Sequence, residues 1–98
     1  MRTYVRTANV DNSELRYFKT VVKGEEENIG SDFYGVFVEK YVGDKLVEEM
    51  DSNPLTESEA HIDEIINRLA EDTVTPFGLP EALDDYKRYQ LQQDNIPA

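Results

Sequence analysis

Phe33–Val42 reads Phe-Tyr-Gly-Val-Phe-Val-Glu-Lys-Tyr-Val, and no other stretch limits the possible folds as tightly. Its β-branched and aromatic residues suit a pleated strand. Apolar side chains occupy both alternating sets of positions, so the strand needs cover on both faces and belongs inside a sheet. Gly35 interrupts the run and marks either a bulge or a point where another backbone passes close.

The neighbours of that strand can be read outward from it. Glu14–Lys23 alternates, with Leu15, Tyr17, Lys19 and Val21 on one face and Arg16, Phe18, Thr20 and Val22 on the other. It too has apolar residues on both faces and is expected to be internal. The turn Asp11-Asn12-Ser13 precedes it. Met1–Asn9 fits an edge strand, where Arg2 and Arg6 discourage unwanted pairing. On the other side, Gly43-Asp44 is a tight turn and Lys45–Asp51 returns as a hairpin partner. Two registers compete there. A two-residue turn with Gly first pairs Tyr41 with Leu46 but opposes Glu39 and Glu48. A three-residue loop pairs Val42 with Leu46, Lys40 with Glu48 and Val38 with Met50, and opposes Glu39 and Glu49. The register stays open at this level.

Asp51-Ser52-Asn53-Pro54 ends the sheet, and an amphipathic helix is expected from Thr56 to Glu71. Thr56-Glu57-Ser58-Glu59 matches a capping box. Ile62, Ile65, Ile66 and Leu69 recur at i, i+3, i+4 and i+7 and form one core-facing stripe. Glu57, Glu64 and Glu71 would then share the opposite face, about 10.5 Å apart along the axis. Thr75-Pro76 biases the connector toward extended backbone, and Val74 is a candidate for a short extra strand. A second helix starts at Gly78-Leu79-Pro80, with Leu79, Leu83 and Tyr86 on its apolar face and Glu81, Asp84 and Asp85 toward water. The expectation is one α+β domain over residues 1–98: an antiparallel sheet of three to four strands with two C-terminal helices packed on one face. Residues 1–13 and 92–98 are the segments expected to fray.

The charge is concentrated. Leu46–Asp85 holds twelve acids and the single base Arg68, an imbalance equal to the formal charge of −11 for all 98 residues. Such a chain is a poor ligand for nucleic acid, which needs Lys and Arg on phosphates, or for anionic membrane surfaces. Basic proteins are its natural long-range partners, although acidity also serves solubility. With no cysteine there is no disulfide or zinc–thiolate framework, and no apolar run approaches a membrane span. A soluble, cytoplasmic protein is expected.

Catalytic and metal signatures are weak. His61 has Glu57 at i−4 and Glu64 at i+3, but a metal site usually draws ligands from a second element, and the residue reads better as a helix-flank position. Glu25-Glu26-Glu27 lacks the spaced ligands of a calcium loop. The carboxylates sit on polar faces rather than in a desolvated pair, so neither an enzyme nor a cofactor or metal is expected. The candidate partner-binding residues are Glu48, Glu49, Asp51, Glu57, Glu64, Glu71, Asp84 and Asp85. Phe37 and Tyr41 are candidate contacts on a sheet face that the helices leave uncovered, which also allows a homodimer.

From Phe33 to Tyr86 the chain resembles a short uncharacterised family of Gram-positive bacteria and their mobile elements. The resemblance rests on Tyr34-Gly35-Val36 opening a strand, the Glu39-Lys40 pair, Val47-Glu48-Glu49 after a turn, an acidic helix, Val74-Thr75-Pro76 and Asp85-Tyr86. That family implies a fold but no activity or site. In size, charge and composition the chain also resembles the small acidic anti-CRISPR inhibitors. That likeness implies a non-enzymatic protein occupying the basic channel of an RNA-guided CRISPR nuclease, with carboxylates in place of phosphates. The alternative expectation is a housekeeping regulatory module that binds a host protein, or itself, through the aromatic sheet face.

Overall fold

A computed structural model describes residues 1–23 and 32–94. Four strands, β1 (Arg2–Val10), β2 (Ser13–Val22), β3 (Phe33–Val42) and β4 (Lys45–Asp51), form an antiparallel meander in sequence order. Two helices follow, α1 (Glu59–Glu71) and α2 (Leu79–Asp94). The molecule measures 44 × 38 × 18 Å, thin enough for one sheet and one helical layer. This is the α+β arrangement expected from the two strands with apolar residues on both faces, and β2 and β3 are indeed internal. The acidic run Glu25–Glu27 lies outside the described residues.

The core sits between the sheet and α1. Leu15 and Tyr17 of β2, Val36 and Val38 of β3, and Ile62, Ile66 and Leu69 of α1 are fully buried, with Leu79 of α2 closing one end. Fully burying each aliphatic side chain contributes about 1.5–3 kcal/mol. Ile65, expected in the same stripe, is only partly buried because it lies on the α1 flank that turns toward α2. The N-terminal segment pairs with β2 from Arg2 to Val10 as the edge strand, with a bulge between Tyr4 and Arg6. That bulge swings Arg6 onto the helical side, where Nη1 donates to Asn67 Oδ1 at 3.3 Å.

The β3–β4 hairpin combines both competing registers. Beside the turn, Val42 pairs with Lys45 and Tyr41 with Leu46, as turn chemistry requires, and Gly43 has φ +64°. The register then shifts between Lys40 and Tyr41, leaving Val47 as the extra residue, and Lys40 meets Glu48 and Val38 meets Met50. One bulge thus satisfies the turn and the side-chain pairing together, while Glu39 still opposes Glu49.

Beyond Asp51 the chain continues along β3. The Ser52 amide donates to the Val36 carbonyl, and Leu55 and Thr56 both donate to the Tyr34 carbonyl. Gly35 marks the close approach: a Cβ there would lie 2.8 Å from Thr20 Oγ1, 3.0 Å from Ser52 Oγ and 3.2 Å from the Asn53 carbonyl. This pairing also moves the start of the helix. Thr56 is held in a bridge to Tyr34 and its Oγ1 accepts from the Ser58 amide at 3.0 Å, so the helix is not capped at Thr56. Ser58 is the N-cap instead, extended at φ −95° and ψ 115°, with its Oγ accepting from the His61 amide. At the other end, Thr73 and Val74 donate to the Ala70 and Leu69 carbonyls in a Schellman closure, with Thr73 in the left-handed region at φ 50°. Val74 adds no strand; its carbonyl accepts from the buried Tyr17 hydroxyl at 2.8 Å.

Candidate functional site

The acids of Leu46–Asp85 divide by what they touch. Several neutralise the sheet's own cations. Lys19 projects from β2 under α1 and reaches Glu59 Oε2 at 2.6 Å and Asp63 Oδ1 at 3.1 Å. The hydrogen bond that Lys19 donates to Glu59 raises the Lys19 pKa above its ordinary value, against a smaller opposing effect of burial. Asp51 pairs with Arg2 at 3.1 Å, and Glu48 lies 3.7 Å from Lys40 with its Oε1 buried and without a hydrogen-bond partner among the described residues. Asp72 accepts from the Tyr86 hydroxyl at 2.8 Å. Burial chiefly, with this bond in support, pushes the Tyr86 phenol upward.

The remaining candidates are Glu49, Glu57, Glu64, Glu71 and Asp84, all exposed and absent from the ion pairs found among the described residues. Asp85 is exposed as well. Glu64 and Glu71 lie two helical turns apart on the solvent side of α1. Glu57 does not complete their stripe, because it precedes the N-cap and is not on the helix. The same shift removes the helical spacing between Glu57 and His61 on which a shared metal site would have depended.

The sheet's outer face carries the other candidate surface. Tyr4, Phe18 and Phe37 form a chain of rings, with centroids 5.8 Å and then 5.6 Å apart. Neither helix covers them, yet Phe37 is only 3% exposed. The Arg2 guanidinium lies 3.7 Å from the centre of its ring, and Arg16 lies 4.1 Å from that of Tyr41. Arg16 is held in turn by Glu14, and the Tyr41 hydroxyl donates to Glu39 at 3.3 Å. The two residues singled out as contacts, Phe37 and Tyr41, are therefore dressed by the chain's own arginines. Exposed apolar surface on this face lies further out, at Tyr4, Val22 and Phe33.

A third feature was not anticipated. A cleft of about 700 Å³ opens between the β4–α1 connector, α1 and the first half of α2. Met50, Leu55, Ile65 and Leu83 supply apolar wall, and His61, Asp84 and Tyr86 supply polar groups. A small dimple bounded by Glu64 and Arg68 continues from it, sharing His61, Ile65 and Tyr86. The only local hint in the sequence is Leu55, a lone large apolar residue in a polar connector, and here it is 40% exposed. Among the described residues no three His, Asp or Glu side chains gather as metal ligands, and no helix is long and apolar enough to cross a membrane.

The chain belongs to a family of unknown function, DUF6514, whose profile matches residues 1–88 and so takes in all four strands and α1. No curated protein and no solved structure matches it.

Proposed function

We propose that this protein is a non-enzymatic acidic inhibitor that docks on a basic, nucleic-acid-handling protein, and that in its sharpest form it is an anti-CRISPR protein blocking an RNA-guided nuclease. The reading is supported chiefly by the division of the carboxylates. Lys19, Lys40 and Arg2 neutralise Glu59, Asp63, Glu48 and Asp51, while Glu64 and Glu71 on α1 and Asp84 on α2 are exposed and outside the ion pairs found among the described residues. Carboxylates held on rigid helices present a fixed negative field, which steers a basic surface toward them and is screened by salt. A Gram-positive mobile element is the setting that fits this role. The test is a pull-down and DNA-cleavage assay against RNA-guided nucleases at rising salt. Retention at low salt, loss at high salt, and weakening by Glu57→Gln, Glu64→Gln and Glu71→Gln are expected; no retention at low salt, or indifference to these changes, overturns the proposal.

A second reading, a regulatory module that pairs with itself or a host protein through the outer sheet face, is favoured by the exposure of Tyr4, Val22 and Phe33 there. It requires a dimer in sedimentation that Phe37→Ser or Tyr41→Ser dissolves. A monomer at high concentration removes the self-pairing form of it.

A further inference from the structure

We infer that the cleft between the β4–α1 connector, α1 and α2 is a groove for a basic amphipathic helix of the partner protein. The inference rests on the acidic-inhibitor reading and names the part of the partner that would be gripped. Apolar side chains from separate elements line part of the cleft: Met50 from β4, Leu55 from the connector, Ile65 from α1 and Leu83 from α2. Met50, Ile65 and Leu83 keep some exposure although they pack against the core, and Leu55 is exposed. A volume of about 700 Å³ holds several side chains from one face of a helix.

The backbone bears on the mode of recognition. The Ser52, Leu55 and Thr56 amides of the connector all donate to β3, so this wall presents side chains rather than a row of free donors for an added strand. That favours a helix laid in a groove, its anchors spaced at i, i+3, i+4 and i+7. Charge decides the occupant's polar side. Asp84 and Asp51 stand on the cleft walls, and Glu64 borders, beside the cation Arg68, the dimple that extends the cleft, so that among the described residues acids outnumber bases around it. Asp84 and Glu64 are exposed and outside the ion pairs found among the described residues, on a chain with a net charge of −11. Lysines or arginines flanking the apolar anchors complement this rim, whereas an acidic helix would be repelled.

Two synthetic peptides of identical Leu and Lys composition separate this inference from the reading beneath it. In one the leucines follow helical spacing; in the other the order is scrambled. Titrated into the intact chain at low salt, the amphipathic peptide is expected to bind about tenfold more tightly than the scrambled one. Its amide chemical-shift changes should centre on Leu55, Ile65 and Leu83. Leu55→Asp, at a half-open position that need not disturb folding, should abolish the preference, and Asp84→Lys should weaken the amphipathic peptide. Equal, salt-sensitive binding of both peptides overturns the groove and leaves the acidic reading standing. No binding of either peptide overturns both.

Discussion

The two faces of the sheet are both rich in apolar side chains, yet they are closed by different means. On the helical face, Leu15, Tyr17, Val36 and Val38 are sealed by other apolar groups from α1 and α2. On the outer face, Phe18 and Phe37 lie under Tyr4 and the Arg2 guanidinium, and Tyr41 lies under Arg16. The first closure is a packed core, intolerant of missing volume. The second uses long side chains that stay partly in water and cover rings with their planar charged ends. An aromatic sheet face therefore does not by itself demand a partner. Open carboxylates and a half-apolar cleft lie on the helical side, whereas the exposed apolar residues of the outer face, Tyr4, Val22 and Phe33, lie beyond its covered ring cluster.

The comparison can be broken most forcefully at Ile66. Ile66→Ala should cost about 3–5 kcal/mol in chemical denaturation, because a fully buried site between two layers cannot collapse. Phe37→Ala should cost less despite the larger side chain, about 1.5–3 kcal/mol, since Arg2 and Phe18 can settle into the space. If Phe37→Ala proves the costlier, the outer face is a second core and the distinction fails. Gly35→Ala should cost about 1–3 kcal/mol by forcing Thr20 and Ser52 apart, read as a fall in thermal midpoint.

Tyr17 sharpens the same contrast through pH. Burial pushes its phenol above the ordinary 10.0, so the unfolded chain ionises first. Stability should hold below that value and fall as the pH rises past it. Tyr17→Phe should remove part of this alkaline loss while costing about 1 kcal/mol at neutral pH, because the Val74 carbonyl loses its donor. The smallest effect belongs to Arg2→Ala, within about 1 kcal/mol, as its ion pair with Asp51 is half-exposed at both ends. Its sharper signature is increased binding of a hydrophobic dye, as the Phe37 ring is uncovered.

Much of the fold was legible because it follows from local periodicity. Phe33–Val42 and the Ile62/Ile66/Leu69 stripe carry their burial pattern in their own spacing, and the order of the elements follows from them. What was hidden depends on contacts between distant segments. The helix start moved from Thr56 to Ser58–Glu59 because Tyr34, far upstream, holds Thr56 in a bridge. The hairpin register could not be chosen, since two sound principles conflicted and a bulge at Val47 reconciles them. Which carboxylates stay available was equally opaque: Glu59 and Asp63 resemble Glu64 in composition, but Lys19, forty residues from Glu59, reaches the first two. The cleft was invisible for the same reason, being assembled from the end of β4, the connector and both helices.

The central claim is that a basic partner engages the helical side and leaves the outer sheet face alone. The most direct measurement is the amide chemical-shift footprint of the labelled chain bound to a basic protein retained in the low-salt pull-down. The account predicts that the largest changes fall on Leu55, Glu64, Glu71 and Asp84 and fade as salt rises, with Tyr4, Phe18 and Phe37 unmoved. A footprint centred on those three aromatic residues, or one that persists unchanged at high salt, would contradict it.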